Sequence, residues 1–128
     1  LDLAIVDLNK AITTQLTIVD AIQAMERMGP RGGDIVSLNL IMAGENNWEV
    51  DWVGMNIMGY RLSEVKHLCY YLEDLNIDEQ RIQEIIVVGE SIENAQYPFK
   101  KVSMEAIIPP TFTPVSYTHL TLPTIYSV

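Results

Sequence analysis

The chain has 128 residues, with 8 basic and 17 acidic side chains for a net charge of −9, 48% hydrophobic residues and 20% charged ones. That length fits one domain burying roughly two thirds of its unfolded surface, and the apolar content is too high for a disordered chain. The acidic balance argues against nucleic acid or an anionic membrane surface as partner, while a single cysteine forms no internal disulfide and cannot by itself ligate a zinc ion or a four-iron cluster.

Leu1, Ala4, Ile5, Leu8, Ala11 and Ile12 recur with a period near 3.6 and predict an amphipathic helix. This opening is acidic instead of basic before an apolar run, so no secretory leader is expected and the location reads as cytoplasmic. The chain also starts on leucine, which predicts that the natural protein begins further upstream. Residues 16 to 19, Leu-Thr-Ile-Val, suit a short buried strand. Asp20 with Gln23 resembles a capping box for a helix over residues 21 to 28, and Gly29-Pro30 reads as its exit. Residues 37 to 43 predict a second strand ending at Gly44. Asn46 and Glu49 then cap a helix over residues 47 to 58, whose Trp48, Val50, Trp52, Val53, Met55, Ile57 and Met58 make nearly every face apolar. Ser63 caps a further helix striped by Val65, Leu68, Cys69, Leu72 and Leu75, and residues 85 to 88 predict a last strand before Gly89. Strands alternating with helices predict an α/β fold, a mainly parallel sheet with packed helices, as part of an incomplete domain.

The stretch after Glu105 carries no charge and contains Pro109, Pro110, Pro114 and Pro123, which rules out a membrane span. Residues 115 to 124, Val-Ser-Tyr-Thr-His-Leu-Thr-Leu-Pro-Thr, resemble the translation of a transposase-type sequencing adapter. Pro114 fits the preceding bases, Ile125-Tyr126-Ser127 spans a variable index, and Val128 precedes the adapter's stop codon. Residues 1 to 113 are therefore expected to be the authentic carboxyl-terminal part of the domain, and residues 114 to 128 a tail with no evolved role.

Two carboxylates and one turn stand out as candidates for chemistry. Asp20 follows a predicted strand at its carboxyl end, where open α/β sheets place ligands, although the Asp-x-x-Gln helix cap explains it without any ligand. Asp51 has Gly54, Met55 and Met58 as its helical neighbours, an apolar face on which a carboxylate needs a partner, a favourable helix dipole or a role as acid, base or anchor. Gly29, Arg31, Gly32 and Gly33 could let backbone amides approach an anion clamped by Arg31, but without the spacing of a P-loop or dinucleotide fingerprint the string also reads as a plain turn. His67 shares a face with Glu64, Tyr71 and Asp74 and reads as a solvated surface residue. Cys69 reads as core filler.

Val19-Asp20, Ala24-Met25-Glu26, the Gly29 to Gly33 turn, Ala43-Gly44, Val50-Asp51 and Met58-Gly59 occur in the order and spacing of a known pattern. Together with the later segments around residues 65 to 77 and 85 to 90, they make residues 1 to 100 resemble the domain of unknown function 362 family. The resemblance implies an α/β domain of unsettled activity, often linked to ferredoxin-like modules that bind four-iron clusters. It also implies a Lys- and His-containing segment preceding Leu1. Asn46-Asn47-Trp48-Glu49 stands where the family has Asp-Pro-Val-Ala, a departure beside Asp51. On this basis the fragment itself is expected to bind no cluster, a four-iron cluster belonging instead to the full-length protein. Its expected partners are the amino-terminal part of the same domain and a ferredoxin-like module. Three roles follow: a redox- or iron–sulfur-associated protein with Asp20, the turn and Asp51 lining a cleft; an enzyme for a small anionic metabolite, anchored by Arg31 with Asp20 or Asp51 as acid or base; and a structural or partner-binding module presenting the Trp48 and Trp52 helix.

Overall fold

In the computed structural model, residues 1 to 102 are described; the expected adapter-like tail, residues 114 to 128, lies outside them. The first helix forms as its period predicts, α1 over Asp2–Ala11, but it turns a different face inward. Val6 is buried with Asp2, Ile5 and Asn9 half-buried beside it, whereas Leu1, Leu8 and Ile12 stay exposed. Polar contacts fix this orientation: Asn47 Nδ2 donates to Asn9 Oδ1 at 2.6 Å, and Lys10 pairs with Asp74 at 2.9 Å.

Strand β1 (Thr17–Ala21) follows. The expected helix over residues 21 to 28 is absent, replaced by a hairpin of β2 (Ala24–Glu26) and β3 (Asp34–Val36), paired antiparallel with Glu26 opposite Asp34. Asp20 does not cap a helix: its Oδ1 accepts the Ile22 N–H at 2.9 Å and closes a local turn. A helix this short is marginal on its own, and here long-range bonds override helix propensity. The Glu26 carboxylate is buried, accepts the Lys100 N–H at 2.8 Å and pairs with the Lys100 ammonium at 3.0 Å. Arg27 then leaves the extended path with φ +64° and pairs with Asp34 across the hairpin at 3.2 Å. Gly33 is required where it stands, since a Cβ there would lie 2.2 Å from the Glu26 carbonyl oxygen.

Strand β4 (Leu40–Gly44) pairs antiparallel with β1, Thr17 opposite Gly44 and Ala21 opposite Leu40. The described residues thus hold two separate two-stranded antiparallel sheets, and the expectation of an α/β fold with a mainly parallel sheet is overturned. The reason is the connection. Parallel neighbours need a crossover, usually helical, and the residues between β1 and β4 fold as a hairpin that returns the chain antiparallel. The expected last strand over residues 85 to 88 also does not form. That segment runs beside β4 across an apolar cavity of about 300 Å³ without joining it, leaving Ile86 and Val88 almost fully exposed.

Helix α2 (Asn47–Ile57) matches its prediction closely. Its start is satisfied by Asn47, whose Oδ1 accepts the Trp48 N–H at 2.9 Å, and not by the Asn46 side chain. Ser63 falls within a single 3₁₀ turn (Leu62–Glu64), so α3 begins one turn later, over Lys66–Asp74. Two short helices follow, α4 (Glu79–Gln83) and α5 (Ile92–Ala95). Trp48 and Met55 of α2 pack on Leu68 and Leu72 of α3 to make the core, with Leu68 only 1% exposed. Residues 97 to 100 strap the molecule together: the Tyr97 and Phe99 N–H groups donate to the Ile57 and Met58 carbonyls, and the Arg27 N–H donates to the Lys100 carbonyl.

Leu68→Ala should cost about 2–5 kcal/mol in denaturant unfolding, because the surrounding helices cannot collapse onto the lost volume. The Lys100 N–H and ammonium hold the Glu26 carboxyl below its ordinary value of 4.5. A depressed carboxylate stabilises the fold above its unfolded value and loses that contribution as pH falls through the folded one. Denaturation followed against pH should therefore show Glu26→Gln less stable than the parent at pH 7, with the gap closing below pH 4.5.

Candidate functional site

Between α2, the start of α3 and the inner face of β1 and β4 lies a cavity of about 490 Å³. Val19 and Met42, opposite one another in the sheet, form one wall, and Gly54, Met55 and Met58, the helical neighbours of Asp51, form another. Three helix beginnings bring titratable groups to it. Asp2 comes from the first turn of α1, Asp51 from just beyond the first turn of α2, and His67 from the first turn of α3. Glu64, Lys66 and Tyr60 complete the polar rim.

Asp51 keeps contact with solvent at the mouth, yet the apolar walls displace much of the water around it. That desolvation pushes its carboxyl above the ordinary value, partly offset by the nearby His67. Among the described residues Asp51 makes no side-chain hydrogen bond or ion pair, whereas Glu64 is engaged by Lys101 and by the Arg61 N–H, which together hold its carboxyl low. His67 is half-buried, with Nδ1 4.0 Å from Asp2 Oδ1. This is longer than a hydrogen bond but close enough for charge to matter.

The other sequence candidates lie elsewhere. Asp20 neighbours Val19 on β1, and successive strand residues point to opposite faces. Asp20 is therefore on the outer, exposed face with Ile18 and Ile41, away from the cavity that Asp51 lines. Gly29, Arg31, Gly32 and Gly33 make the β2–β3 connection, where Gly32 adopts φ +85° and Arg31 is exposed, and none of them lines this cavity. His67 and Asp2 are the residues that sequence reasoning missed. Their helical registers are legible, but nothing in the spacing announces that α1 lies across α3.

Among the described residues no group of three or more His, Cys, Asp and Glu is placed to hold a metal ion. A four-iron cluster takes four thiolates. Cys69, the only cysteine, contacts Glu73 at 3.5 Å, and its thiol is pushed up by burial and then by that carboxylate. The residues of this chain do not fit such a cluster. Nor is any helix among the described residues long and apolar enough to cross a membrane.

Residues 1–56 match the family model described as Domain of unknown function (DUF362). Those residues belong to the DUF362 family. The matched segment runs from α1 into the last turn of α2 and contains Asp2, Asp20, the glycine-rich turn and Asp51, while His67 comes from the chain beyond it. Comparisons with curated proteins and with solved structures returned no match.

A raised carboxyl pKa makes the charged form a burden on the fold above that pKa, relieved as pH falls through it. Asp51→Asn should therefore be at least as stable as the parent at pH 7, with the difference vanishing on acidification. Urea midpoints at several pH values check this.

Proposed function

We infer that this chain is a docking layer of a cytoplasmic, redox-associated DUF362 protein, its exposed apolar faces buried in the parent against the amino-terminal part of the same domain. The observation that carries the docking role is the outer face of the β1–β4 sheet. Ile18 and Ile41 lie there 65% and 63% exposed, with Ala43 also exposed beside them. The α1 residues Leu1, Leu8 and Ile12 add further uncovered apolar surface. Each exposed Ile or Leu forgoes part of the roughly 1.5–3 kcal/mol that full burial would supply, and clustered exposure of this kind marks an interaction surface. In this reading the Trp48 and Trp52 helix is internal support for the sheet, since Trp48 belongs to the core and Trp52 packs against it.

The redox association rests on the family resemblance. A four-iron cluster would be held by a ferredoxin-like module or another part of the full-length protein, because Cys69 alone cannot hold one. An enzyme for a small anionic metabolite has less behind it: its intended anchor, Arg31, lies in the hairpin turn, and the cavity at Asp51 is rimmed by Asp2 and Glu64 as well.

The test compares the 128-residue chain with the longer product of its natural gene. Ile18→Asp and Ile41→Asp should change the stability of the shorter chain by no more than about 0.5 kcal/mol, as exposed substitutions do, and should each cost the longer protein about 2 kcal/mol or more. Equal, small effects in both would overturn the docking role.

A further inference from the structure

We propose that the gap between β4 and residues 85 to 88 seats one β-strand, supplied by the amino-terminal part of the same domain and added to the free edge of β4. The source of that strand rests on the docking role above, while the seat rests on the geometry of the edge.

The cavity of about 300 Å³ at this place touches all five consecutive residues of β4 and all four of residues 85 to 88. Successive side chains of a strand point to opposite faces, so a cavity that touches every residue in turn borders the strand's edge. One bond fixes which backbone groups lie there. The Asn39 N–H donates to the Ile22 carbonyl at 3.2 Å, making these residues, next in the β1–β4 register, a hydrogen-bonded pair. Such pairs alternate along an antiparallel ladder. Ile41 and Ala43 therefore bond to Asp20 and Ile18, and the N–H and C=O groups of Leu40, Met42 and Gly44 turn toward the cavity. On its other side, residues 86 to 88 make no backbone hydrogen bond to the backbone of any described residue. Unpaired donors and acceptors thus stand on both sides of one gap.

A small apolar molecule would exclude water from these groups and leave them unpaired, which is costly. An extended polypeptide pairs them. Val50, Val53 and Ile57, one stripe of α2, line the gap and call for apolar side chains at the strand's inward positions. Ile85 packs on the core, and Ile86 and Val88 are 86% and 91% exposed against 42% for Val87. By that alternation Ile86 and Val88 point away from the core, as Ile18, Ile41 and Ala43 do on the outer sheet face. A strand in the gap joins the two exposed patches into one apolar face, so the strand and the cover of that face belong to one body. Glu90 lines the same cavity without an ion pair among the described residues, whereas Glu49 is held by Arg81. A basic residue at the Glu90 end of the strand complements it. A second copy is the poorer occupant, because two chains of net charge −9 repel.

Amide hydrogen exchange tests this, read residue by residue on the 128-residue chain and on the same chain extended upstream as in its natural gene. In the extended chain the Leu40, Met42 and Gly44 amides should exchange at least about tenfold more slowly, while Ile41 and Ala43, already bonded to β1, change far less. The added protection should be independent of protein concentration. Equal exchange of the three edge amides in both chains would overturn the proposal. So would a change of the same size at Ile41 and Ala43, which marks general stabilisation, or protection that fades on dilution, which assigns the strand to a second copy. Edge amides already as slow as Ile41 and Ala43 in the 128-residue chain would mean that the chain fills its own gap, and overturn it equally. Costly Ile18→Asp and Ile41→Asp beside unprotected edge amides would leave the docking role standing and the strand refuted.

Discussion

The contact on which the rest depends is the packing of α2 on α3 through Trp48, Met55, Leu68 and Leu72. Both helices are short, and neither would be stable alone at this length. Burying Leu68 and Leu72 on one side and Trp48 and Met55 on the other makes each a condition for the other. Because Asp51 stands one turn after Trp48 and His67 directly precedes Leu68, locking the apolar positions also sets two polar ones at the same cavity. Arg81 reinforces the joint from α4, lying over the Trp48 ring at 5.6 Å while pairing with Glu49 at 3.0 Å. The meeting of Asp51 and His67 at this cavity is thus a by-product of core packing, held on helices and not on a loop.

A second constraint joins the hairpin to this core. Glu26 is buried, and a buried carboxylate is tolerable only when hydrogen-bonded and paired. Lys100 supplies both its N–H and its ammonium, and the strap that brings Lys100 there is itself bonded to the end of α2 at Ile57 and Met58. Gly59, at φ +70°, allows the strap to pass: a Cβ there would approach Pro98 Cα to 3.1 Å. The net downward shift of the Glu26 carboxyl shows that the Lys100 hydrogen bonds outweigh its desolvation, so the pair stabilises the join as well as fixing its arrangement.

How far the sequence could be read follows from which interactions are local. The period of α1, the all-round apolar character of α2 and the Leu68–Leu72 stripe of α3 were legible because neighbours along a helix carry the signal. The hairpin of β2 and β3 was not, because Glu26 owes its place to Lys100 and Gly33 owes its identity to the Glu26 carbonyl, contacts far apart or invisible in a helix-favouring string. The antiparallel return of β4 follows from that same misread segment. At the site, the apolar surroundings of Asp51 could be read from positions 54, 55 and 58, but its neighbour His67 could not. On its own helix His67 shows only polar company, and the surface that covers it comes from α1 and α2.

The alternation along β1 gives one short strand both a cavity face and an exposed apolar face. Val19 faces the cavity, while Ile18 and Asp20, one residue to either side, face outward with Ile41. A register slip of one residue between β1 and β4 would exchange these sets, pushing Asp20 against the Met42 wall and Val19 into solvent. The paired carboxylates that sequence spacing suggests as co-lining one cleft lie on different faces: Asp51 lines the cavity, and Asp20 lies on the outer surface, closing its local turn at Ile22. A ligand in the pocket and a polypeptide on the outer face would not compete, because the two-stranded sheet lies between them.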